Sequence, residues 1–238
     1  MYEMSSDKIF TNENLFDYLK ILAKKYKKIS GKNVPAEITL IGGASVLANY
    51  GFRDSTNDID AIISASSAMK QAINNVADEY NLPNNWLNSD FTKTSSYTPR
   101  LMEISKYRCC LNNILTIRYV DEEYLIAMKL KSFRKYKNDI SDIIGILEQQ
   151  EKNGNPLTID RINNAVIFLY GSWDNFPDGA KEMIENILQN KNYTDILNAV
   201  RKEEKENQDV LLNFADKYPD TITEENIDTI LNKIQNLK

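Results

Sequence analysis

Apolar positions change period several times along the first half of the chain. Ile38, Leu40 and Ile41 make a short apolar run that predicts a strand, which breaks at Gly42-Gly43. Residues 44–50 fit a helix, and Ile59, Ala61 and Ile63 then recur at every second position, opposite Asp58 and Asp60, which predicts a second strand. Before this block, Leu15, Tyr18, Leu19, Leu22 and Ala23 recur at helical spacing and predict a helix over 12–28. Its lysines Lys24, Lys25, Lys27 and Lys28 gather in the last turns as a solvated face. After it, Met69, Ile73, Val76 and Ala77 mark a helix over 66–80 with Ser66 as its N-cap, closed by Pro83. The polar stretch 90–99 predicts a loop. Strands are expected over 101–111 and 114–120, joined by a turn at Asn112-Asn113. Leu125, Ile126, Leu130, Phe133, Ile140, Ile144 and Leu147 then keep a helical interval, so 121–150 reads as one long helix.

Gly154-Asn155-Pro156 is the strongest boundary signal in the chain. Beyond it only helical patterns follow, over 158–170, 179–189, 194–218 and 224–237. The last of them has Thr223 as N-cap, two early glutamates and a stripe ending at Leu237. Arg201 to Glu206 reads as a mixed-charge exposed face. The fold expected is an α/β domain over 1–152, built in strand, helix, strand, helix order, and an all-α C-terminal domain over 156–238.

Composition removes whole classes of chemistry. The chain of 238 residues has no histidine. Ser-His-Asp and Cys-His nucleophilic mechanisms and histidine-ligated metals are therefore excluded. The two cysteines, Cys109 and Cys110, are adjacent, which suits neither a disulfide framework nor a zinc site. A net charge of −5 means that any contact with nucleic acid is local. No apolar run approaches a membrane span, and MYEMSSDKIF lacks the regions of a signal peptide, so a cytoplasmic protein without membrane partners is expected.

The chemistry that remains centres on residues 37–64. On a strand, Asp58 and Asp60 project to the same face. Two carboxylates so close repel unless a cation lies between them, and their hard oxygens suit Mg²⁺. Gly42 and Gly43 allow close approach of a ligand, the following helix N-terminus offers free N–H groups to an anion, and Ser45 adds a hydroxyl. Together they describe a site for a nucleoside triphosphate. The competing reading is a tight turn at Thr56-Asn57-Asp58 carrying two surface acids.

The sequence GG-A-S, a spacer and then T-x-D-x-D resembles the signature of the DNA polymerase β-like nucleotidyltransferases, whose fold is built on a mixed sheet. Within that superfamily the chain is similar to the AbiEii-like branch, which includes toxins of toxin–antitoxin and phage-defence systems. The segment from Lys129 through Arg134 to Asp139 and Asp142 resembles the lysine, arginine and D-x-x-D arrangement of that branch. The resemblance implies Mg²⁺ held by Asp58 and Asp60, triphosphate bound by Lys129, and a catalytic or metal-supporting role for Asp139. It also implies a third carboxylate acting as base, for which Glu103 and Asp121 are the nearest candidates. Expected partners are a nucleoside triphosphate, transfer RNA or another RNA as acceptor, and a cognate antitoxin protein. Small molecules or proteins are alternative acceptors, and a non-catalytic interaction module that retains the fold is the reading from a different class. The basic run between Lys129 and Lys137 favours an RNA acceptor, against which stands a plain helix face with pairs such as Lys135 and Asp139.

Overall fold

A computed structural model describes residues 10–223 and 226–235. The signal-peptide reading of the N-terminus, the two early glutamates and Leu237 lie almost entirely outside these residues. The chain runs β1 (Phe10–Thr11), α1 (Leu15–Ser30), β2 (Ala36–Leu40), α2 (Gly42–Asn49), β3 (Ser55–Thr56), β4 (Ile59–Ser64), α3 (Ala68–Tyr80), β5 (Leu87–Asn88), a 3₁₀ turn (Asp90–Lys93), α4 (Leu101–Ile104), β6 (Lys106–Leu111) and β7 (Leu115–Tyr119). Helices follow to the end: α5 (Glu122–Ser132), α6 (Asp139–Lys152), α7 (Ile159–Tyr170), α8 (Ala180–Asn190), α9 (Tyr193–Lys217) and α10 (Ile227–Gln235).

Five strands form a mixed sheet in the order β5-β4-β2-β7-β6, and β1 pairs with β3 beside it. Central β2 is antiparallel to β4 and parallel to β7. The period-2 rule divides the sheet into two faces. Ile38, Leu40, Ile59, Ala61, Leu115 and Ile117 point into a first core closed by Leu15, Leu19 and Leu22 of α1 and by Met69, Ala72 and Val76 of α3. Ile41, Val120 and the half-buried Ile62 belong to a second core on the other face. This second core combines Leu125, Ile126 and Leu130 of α5, Ile143 and Leu147 of α6, Val166 of α7 and Ile184 of α8, so residues on both sides of 154–156 share it. Among the described residues no helix is long and apolar enough to cross a membrane.

Several elements differ from the sequence reading, among them the start of α3, where Ser67 and not Ser66 takes the N-cap position and makes no side-chain capping bond. The strand expected over 101–111 starts only at Lys106, because Leu101–Ile104 coils into the short α4. The helix expected over 121–150 is two helices. Phe133 closes α5 in the left-handed conformation, at φ 48°, and donates its N–H to the Lys129 carbonyl. The Asn112-Asn113 turn is as expected: both residues have positive φ, Ile114 donates its N–H to the Leu111 carbonyl, and Leu111 pairs with Leu115.

Candidate nucleotide-binding site

The carboxylate pair stands at the end of the sheet where β2 finishes and β4 begins. Ile41 donates its N–H to the Asp60 carbonyl at 2.9 Å, so the glycine turn after β2 is fixed against the acid-bearing strand. Asp60 lies within β4, and Asp58 in the bend just before it. Gly42 has φ +55°, and a Cβ there would stand 3.4 Å from Asp60 Oδ2. Gly43 is tighter still: its Cβ would fall 2.6 Å from the Arg53 guanidinium and 2.9 Å from Thr56 Oγ1. Both glycines are therefore demanded by the site, the first by its backbone conformation and the second by the side chains crowded over it.

Burial, followed by repulsion from Asp58, pushes the Asp60 carboxyl up to about 6, although Lys137, Arg134 and Lys129 pull the other way. The pair thus meets charge frustration of the kind a bound cation relieves. No group of three or more metal-ligating side chains occurs among the described residues. That donor set still fits Mg²⁺, which is commonly held by one or two carboxylates while substrate phosphates and water complete its shell.

Behind the pair lies a buried ion network. Lys129 is 6% exposed; its ammonium is 3.2 Å from Asp139 Oδ1 and 2.7 Å from Asp142 Oδ2. Arg134 grips Asp139 through two guanidinium nitrogens, at 2.8 and 3.1 Å. Arg53, coming from the loop before β3, pairs with Asp142. Burial alone would raise the Asp139 carboxyl, but Lys129 and Arg134 outweigh it and hold it well below the usual carboxylate range. Lys137 is lowered by burial and by Arg134 beside it, and is partly restored by Asp139, Asp58 and Asp60. Four acids (Asp58, Asp60, Asp139 and Asp142) and four bases (Arg53, Lys129, Arg134 and Lys137) interlock at one end of the sheet.

The residues singled out from the sequence are therefore distributed as follows. Asp60 stands against Gly42 with Asp58 near it, and Gly43 stands against Arg53 and Thr56. Ser45, on the first turns of α2, is fully buried, and its hydroxyl has no hydrogen-bond partner among the described residues. Lys129 and Asp139 are joined to each other in the layer behind. The proposed Lys135–Asp139 pair is replaced by the pairs of Asp139 with Lys129 and Arg134. Of the base candidates, Asp121 binds Lys106 at 2.7 Å and Glu103 is exposed on α4. On β7, the positions that share the face of Asp60 are Thr116 and Arg118, neither of them acidic.

The basic run divides in two. Arg134 and Lys137 face the acids, whereas Lys131 packs over the rings of Tyr170 and Phe176 and donates to the Asn175 carbonyl. Two contributors were not singled out beforehand. Arg53 comes from the loop ahead of the Asp58 strand, and its only sequence signal is nearness to that strand. Glu204 is read from the sequence as exposed, yet it is buried against α6.

A family model described as "Nucleotidyltransferase of unknown function (DUF6036)" matches residues 17–150, a span that includes every strand of the main sheet and all eight of these charged residues. No curated protein and no solved structure matches the chain. By that match over more than half its length, the chain belongs to this family of nucleotidyltransferases.

Proposed function

We infer that the protein transfers a nucleoside monophosphate from a nucleoside triphosphate to an acceptor hydroxyl, with release of pyrophosphate. The observation that carries this reading is the Asp58–Asp60 pair set against the Gly42-Gly43 turn, with Arg134 and Lys137 facing the same acids. Mg²⁺ held by Asp58 and Asp60 would neutralise charge on the reacting phosphates. Gly42 and Gly43 leave room for the phosphates beside the α2 N-terminus, whose free N–H groups favour an anion. The Ser45 hydroxyl, which has no partner among the described residues, is a donor in reserve for that anion. Lys137 and Arg134 supply positive charge where the leaving pyrophosphate gains negative charge. Lys129 acts one layer behind, holding Asp139 and Asp142 so that these bases keep their positions. With no acid on the matching face of β7, deprotonation of the acceptor falls to a group other than a third strand carboxylate.

The acceptor is RNA in this reading, with transfer RNA the leading form, and the biological role is that of a toxin restrained by an antitoxin protein. Incubation with Mg²⁺, each α-labelled ribonucleoside triphosphate and total cellular RNA should yield labelled RNA. Label on a small molecule or protein instead would keep the transferase and remove the RNA acceptor. No label on any acceptor, with full cellular activity of Asp58 and Asp60 variants, would favour an interaction module.

A further inference from the structure

α9 is a long amphipathic helix whose inward stripe contains two polar residues. Leu197, the half-buried Val200, Glu204, Asn207 and Leu211 follow one another at intervals of three and four, so they share a face. Glu204 is 3% exposed and Asn207 4%. Apolar residues would be cheaper in both places, because burying a carboxyl without a cation is costly. Glu204 has no ion pair among the described residues, and its Oε2 has no hydrogen-bond partner. Burial pushes its carboxyl up to about 7 against the opposing pull of the Ser141 hydroxyl and of the Ser141 and Ile140 N–H groups, with Asp142 adding to the rise.

What α9 obtains is contact with three of the segments that carry the charged residues of the site. Glu204 Oε1 accepts from the N–H groups of Ile140 and Ser141, both at 3.1 Å, which caps the first turn of α6, where Asp139 and Asp142 sit. Asn207 donates to the Lys135 carbonyl at 2.9 Å, within the 133–138 loop that carries Arg134 and Lys137. Tyr136 of that loop is buried in a small third core with Leu211 of α9 and with Ile227 and Leu231 of α10. Arg201 donates to the Phe52 carbonyl at 2.6 Å, one residue before Arg53. The Phe52 ring in turn lies against Gly145 of α6, where a Cβ would overlap it.

We propose that Arg201, Glu204 and Asn207 are positioning residues for the nucleotide site: α9 is a strut that holds the 50–54 segment, the 133–138 loop and the α6 N-terminus in register. The positioning role rests on the nucleotide reading given above. None of the three touches the acid pair in this arrangement; they act through Arg53, Arg134, Lys137 and Asp142. Three hydrogen-bonding side chains at intervals of three, each reaching a different charged segment, go beyond what helix packing alone requires.

The test uses the full chain with Arg201→Ala, Glu204→Ala and Glu204→Gln, read by peptide-level hydrogen exchange and by calorimetric binding of Mg²⁺ with each of the four ribonucleoside triphosphates. Arg201 is exposed, so its variant folds even if Glu204→Ala does not. Expected are faster exchange over 50–57 in Arg201→Ala and over 133–142 in Glu204→Ala. Triphosphate affinity should fall about tenfold in each, since small misplacements of site residues are expensive. Glu204→Gln keeps an acceptor oxygen and should restore both readouts. Unchanged exchange in both segments overturns the strut, and so does faster exchange with unchanged affinity. Wild-type protein that binds none of the four triphosphates overturns the nucleotide reading and with it the positioning role, while the exchange data still decide whether α9 braces these segments.

Discussion

Two residues of the site separate binding from stability in opposite ways. The Ser45 hydroxyl is buried with no partner among the described residues, a state that costs roughly 1–3 kcal/mol of desolvation. Ser45→Ala should therefore leave stability unchanged or raise it by roughly 1 kcal/mol in urea unfolding, while weakening triphosphate binding; a clear loss of stability would show that the hydroxyl is satisfied. Lys129 is the reverse case. Its ammonium compensates two buried carboxylates, so Lys129→Ala leaves charge uncompensated in the interior and should cost about 3–5 kcal/mol. A loss below about 0.5 kcal/mol, the usual range of surface substitutions, would dissolve the network. The resemblance of its sequence context implies direct triphosphate contact; in the folded chain its ammonium pairs with Asp139 and Asp142.

At the scale of elements, the break between α5 and α6 decides which bases reach the acids. The apolar spacing of Leu130, Phe133, Ile140 and Ile144 continues through the break, and neither glycine nor proline marks it, so pattern alone reads one helix. The left-handed turn at Phe133 instead redirects 133–138 across the site. Lys137→Met should weaken Mg²⁺-dependent triphosphate binding about tenfold, or about 1.4 kcal/mol, with little change in melting temperature. Equal affinity would remove Lys137 from the site. The glycine pair and the acid-bearing strand were legible because turn chemistry and strand period are local, although only Asp60 lies on that strand and Asp58 stands in the bend before it. The links of Arg53 to Asp142 and of Glu204 to α6 span 89 and 63 to 64 residues, and no local periodicity encodes such pairings. Glu204 was further disguised by Arg201, Lys202, Glu203, Lys205 and Glu206 around it, a run that looks like a solvated face.

At the scale of the whole molecule, the helices after residue 156 close the second core and brace the site, so a charge on α9 should be felt in global stability. The folded-state pKa of Glu204 is raised from its ordinary 4.5 to about 7. The folded protein therefore holds this proton more tightly than the unfolded chain. The associated stability is complete below about 4.5 and is lost as pH rises through about 7, by on the order of 1–3 kcal/mol. Unfolding free energies at pH 5 and pH 8 should differ by less in Glu204→Gln than in the wild type; an identical pH dependence would mean that Glu204 titrates normally.

The central claim is that Asp58 and Asp60, facing the glycine turn, form a metal-dependent nucleotide site. Calorimetric titration of the wild type and Asp60→Asn with each ribonucleoside triphosphate, with Mg²⁺ and with EDTA, tests it most directly. The account predicts wild-type binding that requires Mg²⁺ and weakens at least about tenfold in a folded Asp60→Asn protein. Equal affinity in the two proteins, or binding indifferent to Mg²⁺, would contradict it.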